Sequence, residues 1–252
     1  MVRPDLLKMR RLLSYLPFLA AVSVFAALFE AARDPGDLPY YVAAIGAVII
    51  ATSGTLCFLS LARSSSIAPG AMPALLVGGA SFAFFFLENA ALRIVVAAAT
   101  SILFLVLVRH LAESTKLAGA AAELRALTEW SALIALVGLA AGLLGAMTYL
   151  NWDPWLSALA FAAIAAYATF VLARLGGVRG WLAPSAVSLL LAQGFIAIGL
   201  LPTSHWVGAG VIGAIAYLLF SILTALPPAS MKRMALSVGV ICAVLLGTAR
   251  WR

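Results

Sequence analysis

The chain is short of charge. About a tenth of its 252 residues are Asp, Glu, Lys or Arg, against roughly a quarter in a soluble domain. So little polar surface cannot cover a water-soluble fold of this size, and that class is excluded. Cysteine is scarce as well. Cys57 and Cys242 lie far apart, each inside an apolar run, which rules out a CxxC metal or redox motif and leaves two small hydrophobic side chains. The two histidines, His110 and His205, sit at the ends of apolar runs, which does not suit a pair of axial haem ligands. No HExxH helix is present, so an intramembrane zinc protease is excluded. Aspartate-rich motifs of the kind that hold magnesium for prenyl transfer are missing too. The stretch ATSGTL at 51–56 does not meet a Gly-x-Ser-Gly protease pattern, because Ala51 stands in the glycine position. FLEN at 86–89 is not a paired-glutamate motif. No catalytic residue, metal ligand or cofactor is assigned.

What the chain has is hydrophobicity: 65% of its residues are apolar and the mean hydropathy is +1.12. The apolar residues come in runs of about 20, the length that crosses a hydrocarbon core. Nine runs are read, at about 12–32, 39–62, 71–87, 91–110, 130–150, 154–173, 181–201, 206–226 and 233–249. The links between them carry turn residues, such as RDPGD at 33–37, NWDP at 151–154, LGGVRG at 175–180 and LPPAS at 226–230. Tyr40 and Trp130, Trp152, Trp155, Trp181, Trp206 and Trp251 fall near run ends, as an interfacial belt requires. The pattern predicts an all-α polytopic transmembrane bundle of eight or nine spans, with the lipid bilayer as its solvent.

The net charge of +7 does not point to nucleic acid, because the basic residues are scattered between apolar runs as topology determinants. With the N-terminus inside, twelve Lys and Arg fall in inner segments and four, Arg33, Arg93, Arg250 and Arg252, in outer ones. This predicts a bacterial or archaeal inner (plasma) membrane protein with a cytoplasmic N-terminus. MVRPDLLKMRR before an apolar stretch has the form of a signal peptide, but the first run has a counterpart in the fifth and is read as part of the body.

That counterpart belongs to a larger pattern. At an offset of 115 residues, Pro39 falls on Pro154, Tyr40 on Trp155, Ala68-Pro69 on Ala183-Pro184 and Gly79 on Gly194. A fixed offset shared by prolines and a glycine predicts an internal duplication. Four spans per unit return the chain to its starting side, so the halves would be parallel, not inverted. The expected division is a first four-helix unit at 1–112, a cytoplasmic linker at 113–129, a second four-helix unit at 130–228 and an extra C-terminal span at 229–252. The linker, with Glu113, Lys116, Glu123, Arg125 and Glu129, suits a short amphipathic surface helix.

Small residues are placed for close helix packing: Gly138 and Gly142 in run five, Gly208, Gly210 and Gly213 in run eight, Gly78 and Gly79 in run three and Gly194 in run seven, while run two carries ATSGTL, whose hydroxyls can bond the preceding turn or a neighbour. Ionisable groups inside a membrane are functional candidates because they are expensive there, yet no run has one near its centre. Gln193 in run seven is the strongly polar mid-span side chain. The turn holding Glu88, Asn89 and Arg93 matches, under the offset, the turn holding Thr203, Ser204 and His205. Glu88, Asn89, Arg93, His205 and Gln193 are therefore the candidate binding residues of an outer polar vestibule and cavity. The plainer account pairs Glu88 with Arg93 at the interface and leaves His205 solvated or capping a span.

Three functional classes follow. The first is a carrier or permease for an apolar or weakly polar solute or lipid. The second is a non-catalytic membrane subunit, with a membrane protein partner or further copies of itself. The third is a membrane enzyme acting on a lipid or isoprenoid, using Glu88 as an interfacial acid.

Overall fold

A computed structural model of the chain describes residues 4–33, 38–61, 71–84, 86–113, 120–178, 180–223, 228–247 and 249. Every regular element among them is helical. The helices are α1 (Pro4–Arg33), α2 (Leu38–Leu61), α3 (Met72–Phe84), α4 (Ala90–Glu113), α5 (Ala120–Tyr149), α6 (Pro154–Leu175), α7 (Leu182–Gly199), α8 (His205–Leu223) and α9 (Pro228–Gly247). Their positions follow the nine apolar runs. Six contain a stretch long and apolar enough to cross a membrane: α1, α4, α5, α6, α7 and α8. The apolar stretches of the others are shorter, at Val42–Leu56, Met72–Phe84 and Met234–Gly247. Among the described residues the chain is thus all-helical, with six helices long and apolar enough to cross a membrane, as suits a membrane protein. The links at 34–37, 62–70 and 224–227, which include Asp34, Asp37 and the Ala68-Pro69 pair of the offset pattern, lie outside the described residues.

The helices start and stop where backbone chemistry dictates. Pro154 opens α6, where its missing N–H is no loss, and the Asp153 carboxylate accepts a hydrogen bond from the Leu156 N–H at 2.8 Å. Helix α6 ends at Gly176, and the chain then turns through Gly177 at φ +76°, a left-handed conformation that favours glycine. Asn89 caps α4: its side-chain oxygen accepts from the N–H of Ala91 at 2.9 Å and Leu92 at 3.2 Å. Residues 120–129 do not form a separate surface helix. They are the first turns of α5, a continuous helix of 30 residues.

The chain divides into two compact units, Met1–Ser131 and Ala132–Arg252, with the boundary inside α5. In the first unit α1 packs on α2 and α4, and α3 on α2 and α4. Their core is built from Val24, Leu28, Val77, Phe84 and Phe104, with alanines between them. Gly54 lets α2 approach α1: a Cβ there would lie 3.0 Å from the Cβ of Ala20.

In the second unit α6 packs on α7, α7 on α8 and α8 on α9. Two contacts hold α6 to α7. Phe161 and Phe195 stack with ring centroids 4.6 Å apart, and the buried Thr169 hydroxyl lies within hydrogen-bond reach of the Pro184 carbonyl at 3.1 Å as well as of the Ala165 and Ala166 carbonyls of its own helix at 2.9 and 3.0 Å. Interhelical hydrogen bonds and close packing replace the hydrophobic drive that lipid does not provide. Helix α5 is the most enclosed span, with 78% of its apolar window buried. A helix apolar on all sides belongs in such a place. Gly208 and Gly213 bring α8 against it: a Cβ on Gly208 would fall 2.9 Å from Leu144 Cδ1, and one on Gly213 would fall 2.5 Å from Val137 Cγ2.

Candidate functional site

The polar groups of the spans are largely occupied by their own helices. Thr52, Ser53, Thr55, Ser81, Ser101, Thr128, Thr148 and Ser221 each donate to a carbonyl four residues back. Backbone carbonyls thus satisfy these hydroxyls locally. None of these residues is left to form a polar track across a span.

The sequence candidates divide between the two units. Glu88, Asn89 and Arg93 belong to the first, at the start of α4; Gln193 and His205 belong to the second, in α7 and at the start of α8. Glu88 and Asn89 are exposed, and the Asn89 side chain is committed to the α4 cap. Arg93 continues the buried face that runs through Ala97, Ser101, Phe104 and Val108, and it is only 7% exposed. Its Nε is sealed from solvent and has no hydrogen-bond partner.

The interfacial Glu88–Arg93 pair is therefore corrected. Arg93 turns to the core side of α4 while Glu88 faces out. The ion pair found among the described residues joins His110 Nε2 to Glu123 Oε2 at 3.6 Å, linking the end of α4 to the start of α5. His205 is not freely solvated either. It is half-buried as the first residue of α8, edge-on to Tyr149 at 5.6 Å and tilted against Trp206 at 5.3 Å. The cap of α8 comes from its neighbour: the Ser204 hydroxyl accepts from the Val207 N–H at 3.3 Å.

Gln193 is the outlying case. It lies about 9 Å from the Gly199 end of α7, at 1.5 Å per residue. Its side chain is exposed, whereas Leu191, Ala192 and Phe195 around it are buried. At 100° per residue it points away from the face that carries Val187, Leu191, Phe195 and Ile198.

The chain matches no family model, no curated protein and no solved structure. Among the described residues, no three His, Cys, Asp or Glu side chains are grouped so as to hold a metal ion. What the site chemistry offers is therefore one buried arginine, one aromatic-packed histidine and one outward amide. Sequence reading missed the Asn89 cap, although an Asn directly before a helical run is a standard start signal. It also missed the burial of Arg93 and the Tyr149–His205 contact, because both depend on how helices pack.

Proposed function

We propose that this chain is a non-catalytic integral membrane protein that works by assembling with a membrane partner through an outward helix face. The observation that supports this best is Gln193. The strongly polar mid-span side chain faces away from the interior of its own unit, while eight hydroxyls in the spans bond their own backbones and the buried Ser131 and Ser157 hydroxyls have no partner. A transport path or an active site needs polar groups converging inward, and an assembly subunit needs them at a contact face. The test is gentle extraction from native membranes into lipid nanodiscs, followed by mass spectrometry of what co-purifies. A stoichiometric protein or a second copy supports the reading. A lone monomer carrying a defined small molecule overturns it.

A second reading, a carrier or permease for an apolar or weakly polar solute or lipid, has one observation in its favour. The chain divides into two compact units of nearly equal length, and many carriers are built from two such bodies. Vesicles holding the purified chain, assayed for uptake of the molecule that co-purifies, test it. In either reading the distribution of Lys and Arg supports a plasma membrane location with the N-terminus in the cytoplasm. Labelling of single cysteines placed in the links, from one side of the membrane at a time, checks that orientation and the count of eight or nine crossings.

A further inference from the structure

Among the described residues, the buried charge is Arg93. It stands in the first turn of α4, about 4.5 Å from the helix start at 1.5 Å per residue. At 100° per residue it falls within about 60° of Ala97, Phe104 and Val108, which share a core with Leu28 of α1 and Phe84 of α3. The side chain is thus enclosed on the inner face of the first unit, and the residue is only 7% exposed. Its Nε is sealed without a hydrogen-bond partner, whereas the two Nη nitrogens are not sealed. Side chains in a helix lean toward its N-terminus, so the guanidinium fork lies toward the end of the span.

Nothing described answers this charge. Glu30 of α1 and Glu88 before α4 are exposed, and no acidic side chain among the described residues forms an ion pair with Arg93. The positive end of the α4 dipole adds to the mismatch. The N–H groups of that end are already taken, those of Ala91 and Leu92 by the Asn89 side chain and that of Arg93 by the Asn89 carbonyl at 3.1 Å. Arginine does not deprotonate in proteins, and a buried charge without a partner is strongly disfavoured. The anion comes from outside the described residues.

We propose that Arg93 anchors a phosphate site at the start of α4, with phosphate oxygens pairing with its guanidinium. Three features select phosphate. The planar fork of arginine matches two phosphate oxygens at once. The first turn of a spanning helix lies at the level of the lipid headgroups, where phosphate is an anion that the bilayer itself supplies. The outward side of the same turns is apolar: Leu92, Ile94 and Val95 are exposed, a wall along which the acyl chains of a phospholipid can lie. A headgroup phosphate and a free phosphate share this chemistry, and the lipid is the source that uses the apolar wall as well. The site belongs to the first unit alone and is independent of both functional readings.

The experiment uses the full chain purified into dodecyl maltoside without lipid or phosphate. Binding is followed by native mass spectrometry and by the rise in melting temperature, with dioleoyl phosphatidylglycerol, inorganic phosphate and dioleoylglycerol as probes. The wild type is expected to retain phosphatidylglycerol and to melt higher with it. Dioleoylglycerol, which lacks the phosphate, is expected to have no such effect. Arg93→Met is expected to bind phosphatidylglycerol about tenfold or more weakly, the loss of charge-assisted hydrogen bonds. Arg93→Lys keeps the charge and loses the fork. It is expected to fall between the two, and it preserves the comparison should the methionine variant not fold. Inorganic phosphate that binds in the lipid's place, with the same dependence on Arg93, keeps the phosphate site and assigns it to a free anion. Wild type that binds neither phosphate probe, or Arg93→Met that binds them as tightly as wild type, overturns the proposal. Asp34 and Asp37, in a link outside the described residues, are the chain's own rivals for the guanidinium. If phosphate binds only after Asp34→Asn and Asp37→Asn are combined, a carboxylate of the chain occupies Arg93 and the phosphate site is refuted.

Discussion

Replacing Gly213 by alanine tests how tightly α8 is seated on α5. A Cβ at this position would lie 2.5 Å from Val137 Cγ2 and 3.9 Å from Val137 Cβ. The obstructing atom is not the tip of a flexible side chain. A helical valine is held in one χ1 rotamer about nine times in ten, so relief requires either a strained valine or a shift of one helix. Overpacking of this kind costs about 1–3 kcal/mol. Against it stands the helix propensity of alanine, about 1 kcal/mol better than glycine.

The net expectation is a loss of about 1 kcal/mol for Gly213→Ala. Gly194 in α7 is the control, because its nearest neighbour is Ile215 Cδ1 at 4.0 Å. Alanine there gains the propensity term without a clash, and Gly194→Ala is expected to be neutral or slightly stabilising. The two variants should thus differ by about 1–2 kcal/mol, a few degrees in melting temperature for a chain of this length. Thermal unfolding of the purified protein in nanodiscs, followed by circular dichroism, measures the difference. Removing the obstruction should reverse it: in the double variant with Val137→Ala, Gly213→Ala should no longer be unfavourable, giving a coupling of about 1 kcal/mol or more. If Gly213→Ala melts at or above Gly194→Ala, the packing argument is refuted.

Three further outcomes are expected in the same unfolding assay. Asp153→Ala should cost about 1 kcal/mol, the usual value of an N-cap, and Asp153→Asn should cost less. Thr169→Val should cost at most about 0.6 kcal/mol, because the hydroxyl shares its one proton between the Ala165 and Ala166 carbonyls of α6 and the Pro184 carbonyl of α7; an unchanged melting temperature would mean that the proton is spent within α6. In detergent without lipid or phosphate, Arg93→Met should leave the melting temperature unchanged or raise it. Methionine keeps much of the stem's volume and removes a charge whose Nε is sealed without a partner. A fall of more than a few degrees there would mean that a carboxylate of the chain itself holds the guanidinium.

Several structural features were legible from local chemistry alone. Pro154 behind Asp153 marked the start of α6, and the LGGVRG stretch marked its end, where Gly177 and Gly180 take positive φ. The glycines of run eight were recognised as packing positions, and Gly208 and Gly213 do meet side chains of α5. The linker was read less well. Its charged residues suggested a helix of its own, but nothing between Ala120 and Tyr149 breaks the backbone, so one helix runs through both. The candidate site was read only as a set of polar residues. The turn holding Glu88 and Arg93 suggested a pair, whereas Glu88 stands before α4 and faces out and the packing of α4 takes Arg93 into the core.

Composition and the length of the apolar runs by themselves determined a helical membrane protein, because a backbone in hydrocarbon must satisfy its own hydrogen bonds and 20 apolar residues in a helix do so. Tertiary structure alone decided which side of each helix faces inward. In a soluble helix the apolar stripe reveals the buried face. Here both lipid and core are apolar, so the pattern carries no such label, and only the packing of α7 on its neighbours turned Gln193 outward.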